Sequence, residues 1–236
     1  MNEVNDLNLF EKLEYYEKQL KEARDAGDLS KILSLLLKLG FLCRDVEAFD
    51  LGINYIKEAL TLGKKTSVNY YSYYAVLGDL YHQNGLIKES YEAYLTSNKI
   101  VPKNQETKLK ADNLFKMGKL NVLFENYSDA IKNYKESLKL YALLNNHAER
   151  ARVHNKIGVT FLKKAPLDLR RDKNMYNLVD KQALAIFRKA RKNFIKDLEI
   201  LERHNLKDNE KKLYITLQEN LKPLNQTPKY PDYKLH

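Results

Sequence analysis

Residues 74–97 read YAVLGDLYHQNGLIKESYEAYLTS. Gly78 has a bulky residue four before it, Tyr74, and an apolar one three after it, Tyr81, so the three share one helical face. Twelve, sixteen and nineteen residues beyond Gly78 stand Ser90, Tyr94 and Ser97. Small, large and small at steps of four and three set a knob between two hollows on one face of a second helix. A glycine inside a helix costs roughly 1 kcal/mol relative to alanine. It needs a packing reason, and close approach of two backbones supplies one.

Working outward, an apolar residue followed by glycine recurs at Leu39-Gly40, Leu77-Gly78, Met117-Gly118 and Ile157-Gly158, at intervals of 38, 40 and 40 residues. Leu36 and Leu114 repeat the bulky residue before the glycine, and Cys43 and Phe161 the apolar one after it; Asn121 breaks the pattern in the third copy. The second helices carry Gly52, Ile56 and Ala59, then Ala130, Tyr134 and Ser137. In the fourth copy the triplet Ala183, Phe187 and Ala190 arrives thirteen residues late, which marks an insertion near 165–177 with Pro166 ending the first helix of the pair. Insertions in such arrays map to loops on one face.

This arrangement resembles the tetratricopeptide repeat family, whose helix pairs carry that glycine on the first helix and that small, aromatic, small triplet on the second. Pro102 stands where the family places its closing proline. The spacing, longer than the usual ~34 residues, is similar to the variant of cell-polarity adaptors and bacterial peptide-responsive regulators. The resemblance covers roughly 29–203 and implies an all-α, right-handed α-solenoid of helical hairpins with a capping helix at each end. The expected organisation is one domain over 1–222, followed by a tail at 223–236. An N-terminal helix at 8–26 carries the apolar stripe Leu9, Leu13, Tyr16, Leu20 and Ala23. Repeats follow at about 29–63, 68–102, 104–144 and 147–204, and a closing helix at 208–221 covers the last apolar face.

Composition supports a folded helical protein: 236 residues, 44% hydrophobic, 31% charged, with only 8 Gly and 5 Pro to punctuate turns. The first ten residues, MNEVNDLNLF, lack the basic then apolar order of an export signal. The apolar stretch Ile32 to Cys43 is broken by Lys38 and falls short of the ~20 residues a membrane span requires. The lone Cys43 excludes an intramolecular disulfide framework and reads as a small core residue. Together these point to a soluble protein of the reducing cytoplasm.

The chain holds no phosphate-cradling glycine loop, no metal-spaced histidine pair and no nucleophile motif, so neither enzyme, metal nor cofactor is expected. Asp79 and His82 share a helical face and read as polar lining, since one helix supplies too few ligands for a metal. By the resemblance, first helices line the concave binding surface, at positions six, three and two before each glycine and one and four after it. The lining then includes Phe41 and Arg44 of the first pair, Asp79 and His82 of the second, Phe115, Lys116 and Lys119 of the third, and Arg152, Asn155 and Lys156 of the fourth. No three consecutive copies reproduce the lysine and asparagine set of the family's chaperone-tail clamps, so that ligand is rejected. A groove with Phe115 among Lys116, Lys119, Arg152 and Lys156 suits an acidic peptide with apolar anchors, because desolvated rings supply affinity and cations orientation.

Charge is uneven, with seven basic against eleven acidic residues in 1–50 but ten against three in 163–192, within a net charge of +10. Arg170, Arg171, Lys173, Arg188, Lys189, Arg191 and Lys192 form a candidate patch for nucleic acid or another anionic surface. No recognised nucleic-acid motif accompanies them, so a protein or peptide partner is the primary expectation and the anionic surface the alternative. Tyr70, Tyr71, Tyr73 and Tyr74 cannot all face one core; they either wedge between adjacent pairs or stand exposed as interface anchors.

Overall fold

The computed structural model describes residues 7–63, 70–102, 107–171, 188, 192–193, 195–205, 215 and 219. Among these the fold is all-α, without a strand: α1 (Leu9–Asp25), α2 (Leu29–Asp45), α3 (Phe49–Gly63), α4 (Tyr71–Gln83), α5 (Ile87–Ile100), α6 (Thr107–Leu123), α7 (Tyr127–Leu143), α8 (His147–Arg171), and a further helical stretch at 195–203. No helix among the described residues is long and apolar enough to cross a membrane. The chain divides into two compact units, 1–117 and 118–236, and the division falls inside α6 between Met117 and Gly118.

Helix ends follow from local chemistry. Asn8 opens α1 with a capping box: its Oδ1 accepts from the Phe10 and Glu11 N–H groups at 3.0 Å, and the Glu11 carboxylate accepts from the Asn8 N–H at 2.8 Å. Asp28 opens α2 by accepting from the Lys31 N–H at 2.9 Å. Five of the helix-to-helix turns are three residues long, and the middle residue of each is left-handed: Gly27, Glu47, Gly85, Glu125 and Asn145. In each, the N–H after that residue returns to a carbonyl in the last helical turn, as Asp28 N to Ala23 O (3.0 Å) and Asn126 N to Asn121 O (2.8 Å). Short turns of one conformation hold consecutive helices antiparallel and adjacent.

Unit 1 is built by α1 on α2, α2 on α3, α3 on α4 and α4 on α5, with α2 also touching α4. Its core runs from Leu20 and Ala23 through Leu36, Leu39 and Ile56 to Leu77 and Leu80. The repeat glycines correct one expectation. At Gly40, Gly78 and Gly118 the glycine does not let two backbones touch; it is a seat for the large residue of the following helix. A Cβ on Gly78 would lie 2.6 Å from Tyr94 Cε1, and one on Gly40 would lie 2.7 Å from Ile56 Cγ1. Unit 2 repeats the contact, with Tyr134 Cε1 2.5 Å from a Cβ on Gly118. The side chain sixteen residues on fills the hollow that the missing methyl leaves. The small flanking residues have their own reason: Ser90 Oγ donates to the Gly78 carbonyl (2.8 Å) and Ser97 Oγ to the Tyr71 carbonyl (2.6 Å). Buried hydroxyls so bonded pin α5 to α4 without leaving an unmatched polar group.

The clustered tyrosines wedge between helices. Tyr71 and Tyr73 are buried, and Tyr70 and Tyr74 half-buried. Tyr73 Oη donates to the Leu33 carbonyl of α2 (3.2 Å), and the Tyr70 ring covers Gly63 of α3.

In unit 2, α7 packs on α8 around Tyr134, Tyr141, Ala151, Val153 and Ile157. A second expectation is corrected here: α8 does not stop at Pro166 but continues to Arg171. Proline removes one N–H bond and so weakens the helix locally, yet the turns on either side carry it through. Gly158 is buried in α8. The fourth triplet (Ala183, Phe187, Ala190), residues 172–177 of the insertion, the closing helix expected at 208–221 apart from Ile215 and Glu219, and the tail lie outside the described residues.

Replacing Gly78 by alanine sets the gain in helix propensity, about 1 kcal/mol, against forcing a methyl into the rigid ring of fully buried Tyr94. Overpacking of that kind costs about 1–3 kcal/mol, so Gly78→Ala should lower the urea midpoint. Gly40→Ala should be milder, because Ile56 meets the new methyl with the end of a flexible chain. An equal or greater loss at Gly40 would refute the seat-and-ring account.

Candidate functional site

The lining positions of unit 1 come from three first helices, α2, α4 and α6. These helices carry Arg44, Asp79 and Lys116, which stand four after, one after and two before their repeat glycines, one turn earlier on each successive helix, and whose charged ends meet. Asp79 Oδ1 lies 2.5 Å from Lys116 Nζ, and Oδ2 lies 3.6 Å from an Arg44 guanidinium nitrogen. From α5, Tyr94 Oη donates to the same Oδ1 at 2.5 Å. The other face of Arg44 is held by Asp45 at 2.8 Å. The result is a row of alternating sign, Asp45, Arg44, Asp79, Lys116, running across consecutive first helices.

The row is laid over aromatic surface. Arg44 sits 5.3 Å from the centroid of Phe41, and Lys116 sits 5.2 Å from that of Tyr94. Tyr94 thus does two things: its ring fills the Gly78 seat and its hydroxyl orients the carboxylate above. Burial and the adjacent Asp79 carboxylate push the Tyr94 phenol well above its ordinary range, so it stays a donor at all working pH. Asp79 retains 19% exposure and Lys116 34%, so water screens the pair and its net worth is about 1 kcal/mol or less. Phe41 is 39% exposed, while His82 and Phe115 are half-buried.

In unit 2, Lys119 of α6 is exposed. On α8, Arg152 and Lys156 are exposed one turn apart, and Arg152 is 3.0 Å from Glu149. Asn155, though on the lining register, is only 7% exposed. Of the basic patch, Arg188 and Lys192 are exposed, and Arg170 and Arg171 lie at the C-terminal end of α8. Lys173, Lys189 and Arg191 lie outside the described residues. No group of three or more His, Cys, Asp or Glu side chains suited to a metal occurs among the described residues.

A feature that motif reading missed lies in the interior of unit 2. His154 Nδ1 is 3.3 Å from Asp197 Oδ1, and both side chains are buried. Burial pushes the Asp197 carboxyl up to about 10. Burial, then Lys196 and Arg150, pulls the His154 imidazole down to about 4. Neither His154 Nδ1 nor either Asp197 oxygen has a hydrogen-bond partner, so the carboxyl is held protonated and the imidazole neutral by burial first of all. The sequence signal is faint: a histidine and an aspartate 43 residues apart, on either side of an insertion that hides their register.

No protein-family model matches the chain, and no curated protein matches it either. Solved structures do. It is similar to BtubC (BKLC) from P. vanneervenii, at 18% identity and TM-score 0.58 over 96% of each chain. A signal transduction ATPase with a tetratricopeptide repeat sensor, from Pyrococcus horikoshii, superposes with TM-score 0.60 at 17% identity, over 93% of this chain and 34% of the other. A Rap protein complexed with competence and sporulation factor gives TM-score 0.57 at 12% identity, over 92% of this chain and 60% of the other. At these identities the likeness is one of fold, and the fold is the tetratricopeptide-like stack of helical hairpins.

The buried pair has a pH consequence. Above about pH 6.5 the unfolded histidine has lost its proton while the folded pair keeps one up to about 10. The folded state then binds more protons, so stability falls as pH rises, by up to about 1.4 kcal/mol per pH unit. Between about 4 and 6.5 both states hold one proton and the contribution is flat. Melting temperature should therefore drop from pH 7 to 8.5 in the parent and drop less in Asp197→Asn. Parallel pH profiles for the two proteins would rule out a protonated Asp197 carboxyl in the folded state.

Proposed function

We propose that this protein is a protein-protein interaction module, an adaptor, scaffold subunit or peptide-responsive regulator, that receives a partner peptide or protein on the lining faces of its first helices and catalyses no reaction. The observation that carries the reading is the ordered row of Arg44, Asp79 and Lys116 across α2, α4 and α6, flanked by exposed Phe41 and half-buried Phe115. A solvent-reaching aromatic beside fixed charges is the composition of an interface centre, where rings supply affinity and charges supply register. The likeness to a Rap protein solved with competence and sporulation factor supports a ligand-receiving role for the same fold.

The partner expected is one with acidic and apolar groups. In unit 1 a partner carboxylate would share Lys116 and Arg44 with Asp79, so recognition there is an exchange of one carboxylate for another. In unit 2 exposed Lys119, Arg152 and Lys156 offer positive charge. We place the protein in the cytoplasm, as a soluble subunit of a larger assembly.

The test is affinity purification of the full chain from a lysate of its source, followed by mass spectrometry, for the parent and for Lys119→Glu/Arg152→Glu. Both side chains are exposed, so circular dichroism should be unchanged. The variant should recover at least about fivefold less of the principal partner, the scale of a lost charge pair at an interface. Undiminished recovery would remove the acidic-partner reading, and loss confined to bound nucleic acid would replace it with the anionic-surface alternative.

A further inference from the structure

Three donors from three different helices converge on the Asp79 carboxylate, and none of them belongs to α4, which carries it. Oδ1 accepts from the Tyr94 hydroxyl of α5 and from Lys116 Nζ of α6, each at 2.5 Å, and Oδ2 faces an Arg44 guanidinium nitrogen of α2 at 3.6 Å. Hydroxyl, ammonium and guanidinium around one carboxylate make up a donor set with which proteins bind anionic ligands. In the other three copies the position after the repeat glycine holds Phe41, Lys119 or Val159, so an acid stands there once. Asp79 keeps 19% of its side-chain surface, which opens the site to solvent.

The donors have holds of their own. Lys116 lies over the Tyr94 ring, 5.2 Å from its centroid, and Arg44 over the Phe41 ring at 5.3 Å, with a second tie to Asp45 at 2.8 Å. The Tyr94 ring is buried in the Gly78 seat. Taking Asp79 away therefore leaves the three donors in place around the space its carboxylate filled. Two cations and a hydroxyl aimed at one point draw in another anion of the same shape.

We propose that Arg44, Tyr94 and Lys116 form a carboxylate-binding site that Asp79 occupies in the free protein, and that Asp79 is a built-in competitor which a partner's acidic side chain displaces. The proposal rests on the acidic-partner reading above and names the place in unit 1 where that reading acts. Because Tyr94 holds Asp79 from the core, a lone carboxylate competes with an intramolecular one at high effective concentration. Displacement needs binding energy from a second contact, and Phe41, exposed beside Arg44, is the adjacent apolar anchor. The competitor thus selects ligands that join an acid to an apolar side chain and turns away free carboxylates.

The test uses formate and then peptides on the full chain. Asp79→Ala should melt below the parent, and formate, the group that the substitution removes, should raise its melting temperature relative to chloride at equal ionic strength while leaving the parent unchanged. No formate-specific rise, or an equal rise in the parent, would overturn the self-occupied site. Fluorescence anisotropy then follows a labelled peptide of alternating Glu and Phe, and the same peptide with Gln in place of Glu. Asp79→Ala should bind the Glu peptide about fivefold tighter than the parent does, the weight of one part-exposed ion pair, and the Gln peptide equally. A merely structural ion pair gives no such gain. If the parent prefers Glu to Gln but the variant gains nothing, the competitor falls and the acidic-partner reading stands; if neither protein prefers Glu, both fall. Should Asp79→Ala fold poorly, Asp79→Asn, which keeps an acceptor for the Tyr94 hydroxyl, takes its place, and Glu-peptide binding no tighter than the parent's overturns the proposal.

Discussion

Everything in the repeat hangs on a large side chain seated against a helical glycine. Ile56, Tyr94 and Tyr134 each occupy the space a methyl would take on Gly40, Gly78 and Gly118. That seat sets the distance and rotation between the two helices of a pair, since a ring locked over one point leaves little freedom to slide. Serine hydroxyls on either side of Tyr94 then tie the second helix to carbonyls of the first. The three-residue turns with one left-handed residue close the geometry from the ends. Where that residue is Glu47 or Glu125, the next N–H bonded back to the Cys43 or Asn121 carbonyl at 2.8 Å holds a conformation glycine would adopt more readily.

The lining surface inherits its order from the same seat. With each pair held alike, side chains one turn earlier on each successive first helix reach one another, and Arg44, Asp79 and Lys116 form a row. Tyr94 links core to surface: the ring that fixes the helix pair also carries the hydroxyl that orients Asp79. A ligand that displaced Asp79 from Lys116 would be working against a group anchored in the core. The row is also half-screened by water.

Unit 2 follows a different logic at its last helix contact. Polar titratable groups stand where apolar ones would pack, with His154 and Asp197 buried. Replacing such a pair by hydrocarbon is commonly neutral or stabilising. Its presence gives the contact a dependence on protons that the seat-and-ring contacts lack.

Much of this was legible in the residues alone. The glycine interval, the small, large, small triplets and the scarcity of turn residues determined an all-α hairpin repeat, because each is a local consequence of helical periodicity. The family resemblance, laid on the same glycines, named the lining positions of Phe41, Asp79, Phe115 and Lys116. Only tertiary structure decided what fills the glycine hollow, that α8 runs through Pro166, that Asn155 turns inward, and that Asp79 takes Lys116, Arg44 and the Tyr94 hydroxyl at once. It alone brought His147 to His204 and His154 to Asp197. Periodicity is set by the chain's own helix geometry and can be read along it, whereas partners tens of residues apart depend on the register of one helix against another. Past an insertion, no local rule supplies that register.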